Sequence, residues 1–328
     1  MKFSRLLAAA LLLPAFFSAC EKKPEAGPGA STTLRVGHFP NITHAQALVA
    51  AQLTRQGKGW FEERLGAGTK IEWFVYNAGP SAMEAVAANS IDMAYVGPNP
   101  ALNLYVRSQG EEVRIVAGSA NGGAALVVQP DGRLSKPEDF RGKAIATPQL
   151  GNTQDVAARA WLQKQGYHIT QLGGDVKVLP TSNPDQLALF TDRKVDGVWT
   201  VEPWVSRLEL EAKGTIYLEQ KDALTTVLTT SERALKQKGE LVKKFTAAHA
   251  ELTDWINKNP EEAKKLANAE LKAITHREMP AELIDRSWAR IKFTSEIQRT
   301  DLDSFVAEAQ SVGFLKGPID LNRLVVTP

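Results

Sequence analysis

The sequence contains a single cysteine, Cys20, among its 328 residues. One cysteine cannot close a disulfide within the chain, and it excludes redox chemistry by a cysteine pair. The chain also has no large excess of charge of one sign, since it contains 39 Lys and Arg and 37 Asp and Glu. Lys2 and Arg5 account for the difference of two. So balanced a charge gives no basis for proposing a nucleic-acid partner.

The signatures of common enzyme classes are missing as well. The sequence has five histidines, and they show neither a His-Glu-x-x-His spacing nor a cysteine-histidine cluster of the kind that binds zinc. It also lacks a Walker-type phosphate loop, the glycine fingerprint of dinucleotide-binding folds and the Gly-x-Ser-x-Gly elbow of hydrolases. We therefore expect no catalysis, no metal and no cofactor.

The first 20 residues have the organisation of a targeting segment. Lys2 and Arg5 precede an apolar run over residues 6–17, which is too short to span a bilayer. Ser18 and Ala19 then precede Cys20, which resembles the lipobox of bacterial lipoproteins, whose cysteine is acylated. This predicts a periplasmic protein with a lipid anchor on Cys20, followed by a flexible, Pro- and Gly-rich tether over residues 21–33. The alternative is a secretory signal with an incidental cysteine.

From residue 34 onward, short apolar runs alternate with helical patterns. Strands are predicted at 34–39, 71–76, 92–96, 113–117, 125–129, 143–146, 176–179 and 196–200, and helices at 43–56, 80–88, 98–107, 152–165 and 203–212. A capping box is predicted at 183–186, and the chain after residue 231 is predicted to be almost wholly helical. A Pro-, Asp- and Gly-rich break at 129–137 separates two α/β units, so the pattern favours an α/β protein with two open sheets.

Helix starts with a small polar residue and a proline repeatedly follow the predicted strands. They occur at residues 77–80, 97–99, 147–153 and 202–203. Helix N-termini carry unpaired N–H groups and a partial positive charge, and in open α/β folds they meet at the carboxyl ends of the strands. Ordinary capping explains any one of them, but four on two units favour a ligand-binding cleft.

Four segments carry a resemblance to a known family. They are VGHFPNITHA at 36–45, DMAYVGPNP at 92–100, ATPQLGNT at 146–153 and DGVWTVEPW at 196–204. They resemble, in the same order, segments of the nitrate/sulfonate/taurine-type solute-binding proteins of ABC importers, and the likeness runs from about residue 33 to 320. Members that bind aliphatic sulfonates are the most similar.

The resemblance implies a periplasmic-binding-protein fold of type II. Such a fold has two α/β lobes with mixed sheets, helices on both faces of each sheet and two crossover strands. In this sequence, lobe 1 would comprise residues 34–119 and 222–328, and lobe 2 residues 120–221. The crossings would lie near 119–122 and 225–227, where a glycine pair suits a hinge.

The resemblance also implies a function. The protein would bind a small anion or zwitterion between its lobes and deliver it, as a monomer, to an ABC permease in the membrane. An aliphatic sulfonate or taurine is the first expectation, and a nitrate-like anion the second. The expected ligand contacts are Asn41, Thr43, His44, Gly79, Ser81, Asn99, Gln149, Asn152, Thr153, Trp199 and Glu202.

Two tryptophans and a glutamate of the last segment have structural alternatives. Trp199 and Trp204 would wall the cleft, but each equally suits a hydrophobic core. Glu202 would either pair with a ligand ammonium group or stabilise the N-terminus of the helix that follows it.

Two other functions remain open at this point. One is a protein on the same fold that binds or synthesises a thiamine-pyrimidine precursor, and the lack of the cysteine-rich motif of the synthases argues against it. The other is a binding module that reports to a membrane sensor, which the sequence does not separate from transport.

Overall fold

The computed structural model describes residues 32–171 and 173–328. The predicted signal peptide, Cys20 and most of the predicted tether therefore lie outside the described residues. Strand β1 (Thr32–His38) begins two residues before its predicted start, so Thr32 and Thr33 belong to a strand and not to the tether. None of the described helices combines the length and the hydropathy that crossing a bilayer requires.

The described residues form two β-sheets, and the first has six strands. They are β1, β2 (Thr69–Val75), β3 (Met93–Val96), β4 (Val113–Gly122), β10 (Leu224–Ser231) and β11 (Ile291–Phe293). Their order across the sheet is β11-β4-β10-β3-β1-β2. Strand β1 runs parallel to β2 and β3, whereas β10 is antiparallel to β3 and β4. The sheet is therefore mixed.

The second sheet has five strands. They are β5 (Ala124–Val128), β6 (Ala144–Thr147), β7 (Lys177–Pro180), β8 (Gly197–Val201) and β9 (Thr215–Gln220), and their order is β7-β6-β8-β5-β9. Strand β6 runs parallel to β7 and β8, and β5 is antiparallel to β8 and β9. The prediction of two mixed sheets is confirmed.

Helices connect the strands and fill the C-terminal region. They are α1 (Ala45–Arg55), α2 (Trp60–Leu65), α3 (Gly79–Ala87), α4 (Pro98–Arg107), α5 (Thr153–Lys164), α6 (Asn183–Thr191), α7 (Trp204–Ala212), α8 (Glu232–Lys258), α9 (Pro260–Thr275), α10 (Ala281–Ala289) and α11 (Arg299–Ser311). Helix α4 has its predicted bounds, whereas α2 and the strands β9 and β11 were not predicted. The predicted cap of α6 was wrong by one residue, because Ser182 is the N-cap and Asn183 is already helical.

Both sheets are buried on both faces. Adjacent residues Tyr95 and Val96 of β3 pack into different hydrophobic clusters, and so do Val198 and Trp199 of β8. Side chains alternate between the two faces of a strand, so each sheet has a core on either side. This explains why these strands read as unbroken apolar runs in the sequence.

The chain crosses between the sheets at two neighbouring places. Strand β4 ends at Gly122 and β5 begins after Gly123, and both glycines have positive φ, +75° and +69°. A Cβ on Gly122 would lie 2.5 Å from the Lys221 carbonyl oxygen, which belongs to the return crossing. The Gly122 N–H donates to the carbonyl of Ala223 in that crossing at 2.8 Å. The first crossing lies where the sequence predicts it, and the return lies just before its predicted position.

A buried histidine joins helix α8 to the first sheet. The His249 Nε2 lies 2.8 Å from the Gly118 carbonyl oxygen and its Nδ1 lies 3.0 Å from the Tyr95 hydroxyl. Because a carbonyl only accepts, Nε2 carries the hydrogen and Nδ1 accepts from the tyrosine, so the ring is neutral. Burial lowers the pKa of His249 to about 4, and the bond to Gly118 opposes that shift.

This histidine predicts a loss of stability in mild acid. Its pKa is about 4 in the folded protein against an ordinary value of 6.5, so the unfolded chain binds the proton first. Stability that is present above pH 6.5 is then lost as the pH falls toward 4, by about 1.4 kcal/mol per pH unit for one such group. Urea denaturation of His249→Gln between pH 7 and pH 5 should give a shallower pH dependence than the native sequence. The same change at the exposed His168 serves as the control, and equal slopes for His249→Gln and the native sequence would contradict the assignment.

Candidate ligand-binding site

Five of the described helices begin at one cavity, which we call the inner cavity. It is lined by Phe39, Asn41, Thr43, His44, Asn77, Ala78, Gly79, Gly97, Pro100, Pro148, Asn152, Thr153, Gln154, Asn183, Val201, Thr225 and Thr226. These residues include the starts of α1, α3 and α4 after strands of the first sheet and of α5 and α6 after strands of the second. Helix N-termini carry unpaired N–H groups and a partial positive charge, so five of them at one cavity favour an acceptor or anionic group there without a basic side chain.

The first loop contributes polar groups from a buried turn. Asn41, Thr43 and His44 lie between β1 and α1, and each is at most 4% exposed. The Phe39 N–H lies 3.4 Å from His44 Nδ1, which accepts, so the neutral ring has its hydrogen on Nε2. Burial, with a smaller effect of His38, lowers the pKa of His44 well below its usual value. His44 therefore faces the cavity as a neutral group.

The return crossing strand contributes two hydroxyls. Thr225 and Thr226 lie at the start of β10, and the Thr225 hydroxyl donates to the Ala120 carbonyl. The Thr226 hydroxyl is buried and has no hydrogen-bond partner among the described residues. An unpaired buried hydroxyl costs free energy, so the Thr226 hydroxyl is a candidate hydrogen-bond donor to a group that fills the cavity.

The second sheet presents its part of the wall through a tightly held turn before α5. The Asp155 carboxylate accepts from the Thr147 hydroxyl and from the Gly151 N–H, both at 2.9 Å, and pairs with Arg159 at 3.0 Å. The Asn152 side chain caps α5 by accepting from the Asp155 N–H at 2.8 Å. The turn is therefore fixed before any ligand arrives.

The two halves of the wall are in contact. A Cβ on Gly97, at the start of α4, would overlap the Thr153 hydroxyl of α5, so only glycine allows this approach. The Asn99 N–H lies 3.4 Å from the same hydroxyl. The Ile42 N–H donates to the Glu202 carbonyl, and Trp204 Nε1 donates to Asn41 Oδ1 at 3.1 Å. The cavity is thus closed by contacts between residues that follow different sheets.

Charge and size restrict what fits. No Asp, Glu, Lys or Arg lines the inner cavity in the described part of the chain. Its volume is about 30 Å³. A cavity that holds one water needs a volume of at least about 10–15 Å³, so this space suits a compact group of a few atoms. A small anion bound by neutral donors meets both restrictions, and no group of three metal-ligating side chains occurs in the described ranges.

The structure brings six of the predicted contact residues together at the inner cavity: Asn41, Thr43, His44, Gly79, Asn152 and Thr153. Ser81, Asn99, Gln149, Trp199 and Glu202 do not line it. Asn99 is near, and neither polar atom of its side chain has a partner within the described residues. Ser81 bonds the Ala78 carbonyl at 2.8 Å and so tightens the start of α3.

The placement of Trp199 follows from its position along β8, two residues before the carboxyl end of the strand. It lies on β8 with its ring in a hydrophobic cluster, at 2% exposure, and its Nε1 donates to Gln220 Oε1 at 3.0 Å. Val201, two residues further along β8, lines the cavity.

Glu202 is sealed away from the inner cavity. Its carboxylate is fully buried and accepts from the Ser206 N–H at 3.0 Å, the Ser287 hydroxyl at 3.0 Å and Arg290 at 2.9 Å. Burial raises the pKa of Glu202 above its usual value, and the bonds from Ser206 and Arg290 oppose that shift. The bond to Ser206 satisfies the first turn of α7, which is the structural alternative that the sequence left open.

Residues that sequence reasoning missed complete the wall. They are Asn77, Gly97, Pro148, Gln154, Asn183, Val201, Thr225 and Thr226, with Phe39, Ala78 and Pro100. Most lie within one or two positions of a residue that was predicted. Thr225 and Thr226 were identified from the sequence only as part of a crossing strand, and nothing local marks them as part of a site.

A second, larger chamber adjoins the first. This outer chamber has a volume of about 830 Å³ and shares Asn41, Asn77 and Asn183 with the inner cavity. Its walls include Trp204 of α7, Ile274 of α9 and the segment that joins α9 to α10.

The comparisons with known proteins agree with this architecture. Residues 27–271 match the family described as NMT1-like. The chain belongs to the NMT1-like family. Like this chain, the alkanesulfonate-binding protein SsuA from Xanthomonas axonopodis pv. citri bound to MOPS has the two-lobe fold; it superposes with a TM-score of 0.74 at 22% identity, over 93% of this chain and 100% of that one. The periplasmic nitrate-binding protein NrtA from Synechocystis PCC 6803 gives 0.69 at 17% identity, over 88% and 83%.

Curated relatives of this NMT1-like protein match a smaller part of the chain than the solved structures do. The taurine-binding periplasmic protein of Escherichia coli (strain K12) is 26% identical over 210 residues, which cover 63% of this chain and 57% of that protein. A binding protein of Brucella abortus (strain 2308) is 26% identical over 211 residues, 62% and 61% of the two chains. The chain thus spans about three fifths of the length of the curated relatives it matches. The fold is a two-lobe periplasmic-binding-protein fold with mixed sheets and two crossovers, as the family resemblance implied.

The bonding of Glu202 predicts a role in stability. Glu202→Gln keeps the shape of the side chain but replaces its charged hydrogen bonds to Arg290 and Ser206 with neutral ones. The free energy of unfolding should therefore fall by about 1–3 kcal/mol. Because the carboxylate does not reach the cavity, taurine and methanesulfonate should change in affinity by the same factor. Denaturation and isothermal titration measure the two effects, with Glu209→Gln, another partner of Arg290, as the control. A loss of affinity confined to taurine would contradict this placement.

Proposed function

We propose that this protein is the extracytoplasmic solute-binding component of an ABC importer and that it binds the anionic head of a small sulfonate in the inner cavity. The convergence of five helix N-termini on a cavity without charged side chains carries this proposal. Helix N-termini bind oxyanions through N–H groups and the helix dipole. A sulfonate presents three acceptor oxygens, so it can accept hydrogen bonds from several helix N-termini at once.

The names of the relatives support the same ligand class. One curated relative is named for taurine, another, from Bacillus subtilis (strain 168), for aliphatic sulfonates, and structural neighbours are named for alkanesulfonate and nitrate. All these are small anions or zwitterions with an oxyanion group. They are named as binding proteins, which supports binding and delivery over catalysis.

Capture would proceed by closure of one lobe on the other. We assign residues 34–119 and 222–328 to lobe 1 and 120–221 to lobe 2, with the glycine pair Gly122 and Gly123 as part of the hinge. An anion entering the open cleft would first bind the N-termini of one lobe. Closure would add those of the other lobe, and the closed form would dock on a membrane permease as a monomer.

The ligand assignment predicts a specific effect at Thr226. Thr226→Val removes a hydroxyl that has no described partner, so the free protein should keep its stability or gain slightly. The bound anion loses a charged hydrogen bond, worth about 1.5–3 kcal/mol, so methanesulfonate affinity should fall by roughly ten- to a hundredfold. Isothermal titration measures the affinity and thermal unfolding the stability.

A matched control lies on the same strand. The Thr229 hydroxyl donates to the Ala94 carbonyl at 2.9 Å and does not line the cavity. Thr229→Val should therefore lower stability and leave methanesulfonate affinity unchanged. If the native protein shows no binding to methanesulfonate, taurine or nitrate, the proposed function is wrong.

The lipid anchor is a separate proposal, because Cys20 lies outside the described residues. We propose that Cys20 is acylated, becomes the new N-terminus when residues 1–19 are removed, and anchors the protein to a cell membrane. Cys20→Ser removes the acyl acceptor, so metabolic labelling with a fatty acid should give no labelled protein. If Cys20→Ser retains the label, the protein is acylated at another residue and the proposed anchor is wrong.

A further inference from the structure

We infer that Arg290 is an ionic clamp, a cation of lobe 1 that holds three carboxylates of lobe 2 and so sets how much of the protein is closed before a ligand binds. The inference rests on the proposed function, in which closure of the lobes captures the ligand, and it concerns closure and not the choice of ligand. The place of Arg290 in the fold, the charges around it and their connection to the cavity wall each support it.

The backbone of Arg290 belongs to the part of the chain that carries the first sheet. Arg290 is the C-cap of α10 and directly precedes β11, which pairs with β4 so that Ile291 lies opposite Gly122. A Cβ on Gly122 would lie 2.6 Å from the Arg290 carbonyl oxygen. Arg290 is therefore held against the proposed hinge, on the side of lobe 1.

The side chain of Arg290 reaches across to the residues of lobe 2. Its Nη1 lies 2.9 Å from Glu202 Oε1, its Nη2 lies 2.7 Å from Glu209 Oε2 and its Nε lies 3.5 Å from Glu219 Oε1. These glutamates belong to the turn after β8, to α7 and to β9. Each nitrogen of the guanidinium thus faces a different carboxylate, an arrangement that the planar fork of arginine allows and a single ammonium group does not.

The carboxylates carry more charge than one guanidinium neutralises. Glu202 is fully buried, and the side chains of Glu209 and Glu219 are only 17% and 25% exposed. Two further cations are more distant, since Arg286 lies 3.8 Å from Glu209 and Lys221 lies 3.9 Å from Glu219. Closing the lobes without the central guanidinium would leave buried carboxylates unpaired against α10, whereas water would solvate them in an open form. The guanidinium therefore favours the closed form over the open one.

The clamp is connected to the wall of the inner cavity by a single residue. The Glu202 carboxylate also accepts from the Ser287 hydroxyl of α10 at 3.0 Å, and the Glu202 carbonyl accepts from the Ile42 N–H at 3.2 Å. Ile42 lies between Asn41 and Thr43, which line the cavity, whereas Arg290 does not line it. Loss of the clamp should therefore change the affinity for every ligand through closure and by the same factor.

Small-angle X-ray scattering of the ligand-free protein tests the clamp without a ligand. Arg290→Gln removes the guanidinium and leaves the three carboxylates, so the ligand-free protein should open and its radius of gyration should exceed that of the native protein. Arg55→Gln is the matched control, because Arg55 of α1 pairs with the buried Glu270 of α9 at 2.7 Å within lobe 1. It should lower stability and leave the radius of gyration unchanged.

Isothermal titration measures the consequence for binding. A ligand that binds only the closed form has an apparent affinity proportional to the closed fraction. Arg290→Gln should therefore lower the affinities for methanesulfonate and taurine by one common factor, about tenfold or more if the closed fraction falls below about a tenth. Arg55→Gln should leave both affinities within about twofold of the native values.

A second variant guards against misfolding. Arg290→Lys keeps a cation beside the buried carboxylates but cannot face all three at once, so both effects should appear in the same direction and to a smaller extent. Thermal unfolding in each case shows whether the variant is folded. If Arg290→Gln does not fold, Arg290→Lys decides the question.

The outcomes separate the clamp from the proposed function. A native radius of gyration in the folded Arg290 variants, or an equal increase in Arg55→Gln, would overturn the clamp and leave solute binding standing. A fall in affinity confined to methanesulfonate or to taurine would also overturn it, because closure acts on both alike. Failure of the native protein to bind any of these anions would overturn the proposed function, and the scattering of the ligand-free proteins would then decide the clamp alone.

Discussion

The arrangement of the whole molecule depends on two neighbouring crossings between the sheets. The Gly122 N–H bonds the Ala223 carbonyl, and the close approach of Lys221 leaves no room for a side chain at Gly122. Because both connections lie at one place, the carboxyl ends of the central strands of both sheets face the same space. The five helix N-termini, the two threonines of the return crossing and the continuous pair of cavities all follow from that constraint.

The sequence predicted the elements of this architecture better than their meeting point. Apolar runs and proline-marked helix starts placed β3, α4 and the glycine crossing within a few residues, because these features depend on local backbone chemistry. Helix α2 and strand β11 escaped prediction since their six and three residues are too short for a periodic signal. Their positions depend on tertiary packing.

The site shows the same division between local and tertiary information. Asn41, His44 and Asn152 were predicted from the family resemblance of segments that follow strands or start helices, and the structure places them at the inner cavity. Trp199 and Glu202 belong to a motif of the same resemblance, yet Trp199 packs into a hydrophobic core and Glu202 forms an ion pair with Arg290. The Thr226 hydroxyl has no partner among the described residues, and only the folded structure reveals an unpaired hydroxyl.

A cavity whose donors come from both lobes has a consequence for the energetics of release. An anion there would have its coordination divided, with α1, α3 and α4 on one side and α5 and α6 on the other. Separating the sides removes part of the shell at once, so the open form must bind the same anion more weakly. By thermodynamic linkage the anion favours closure to the same extent, and any partner that stabilises the open form lowers the affinity for the anion by that factor. Unloading then needs no competing ligand and no change of protonation.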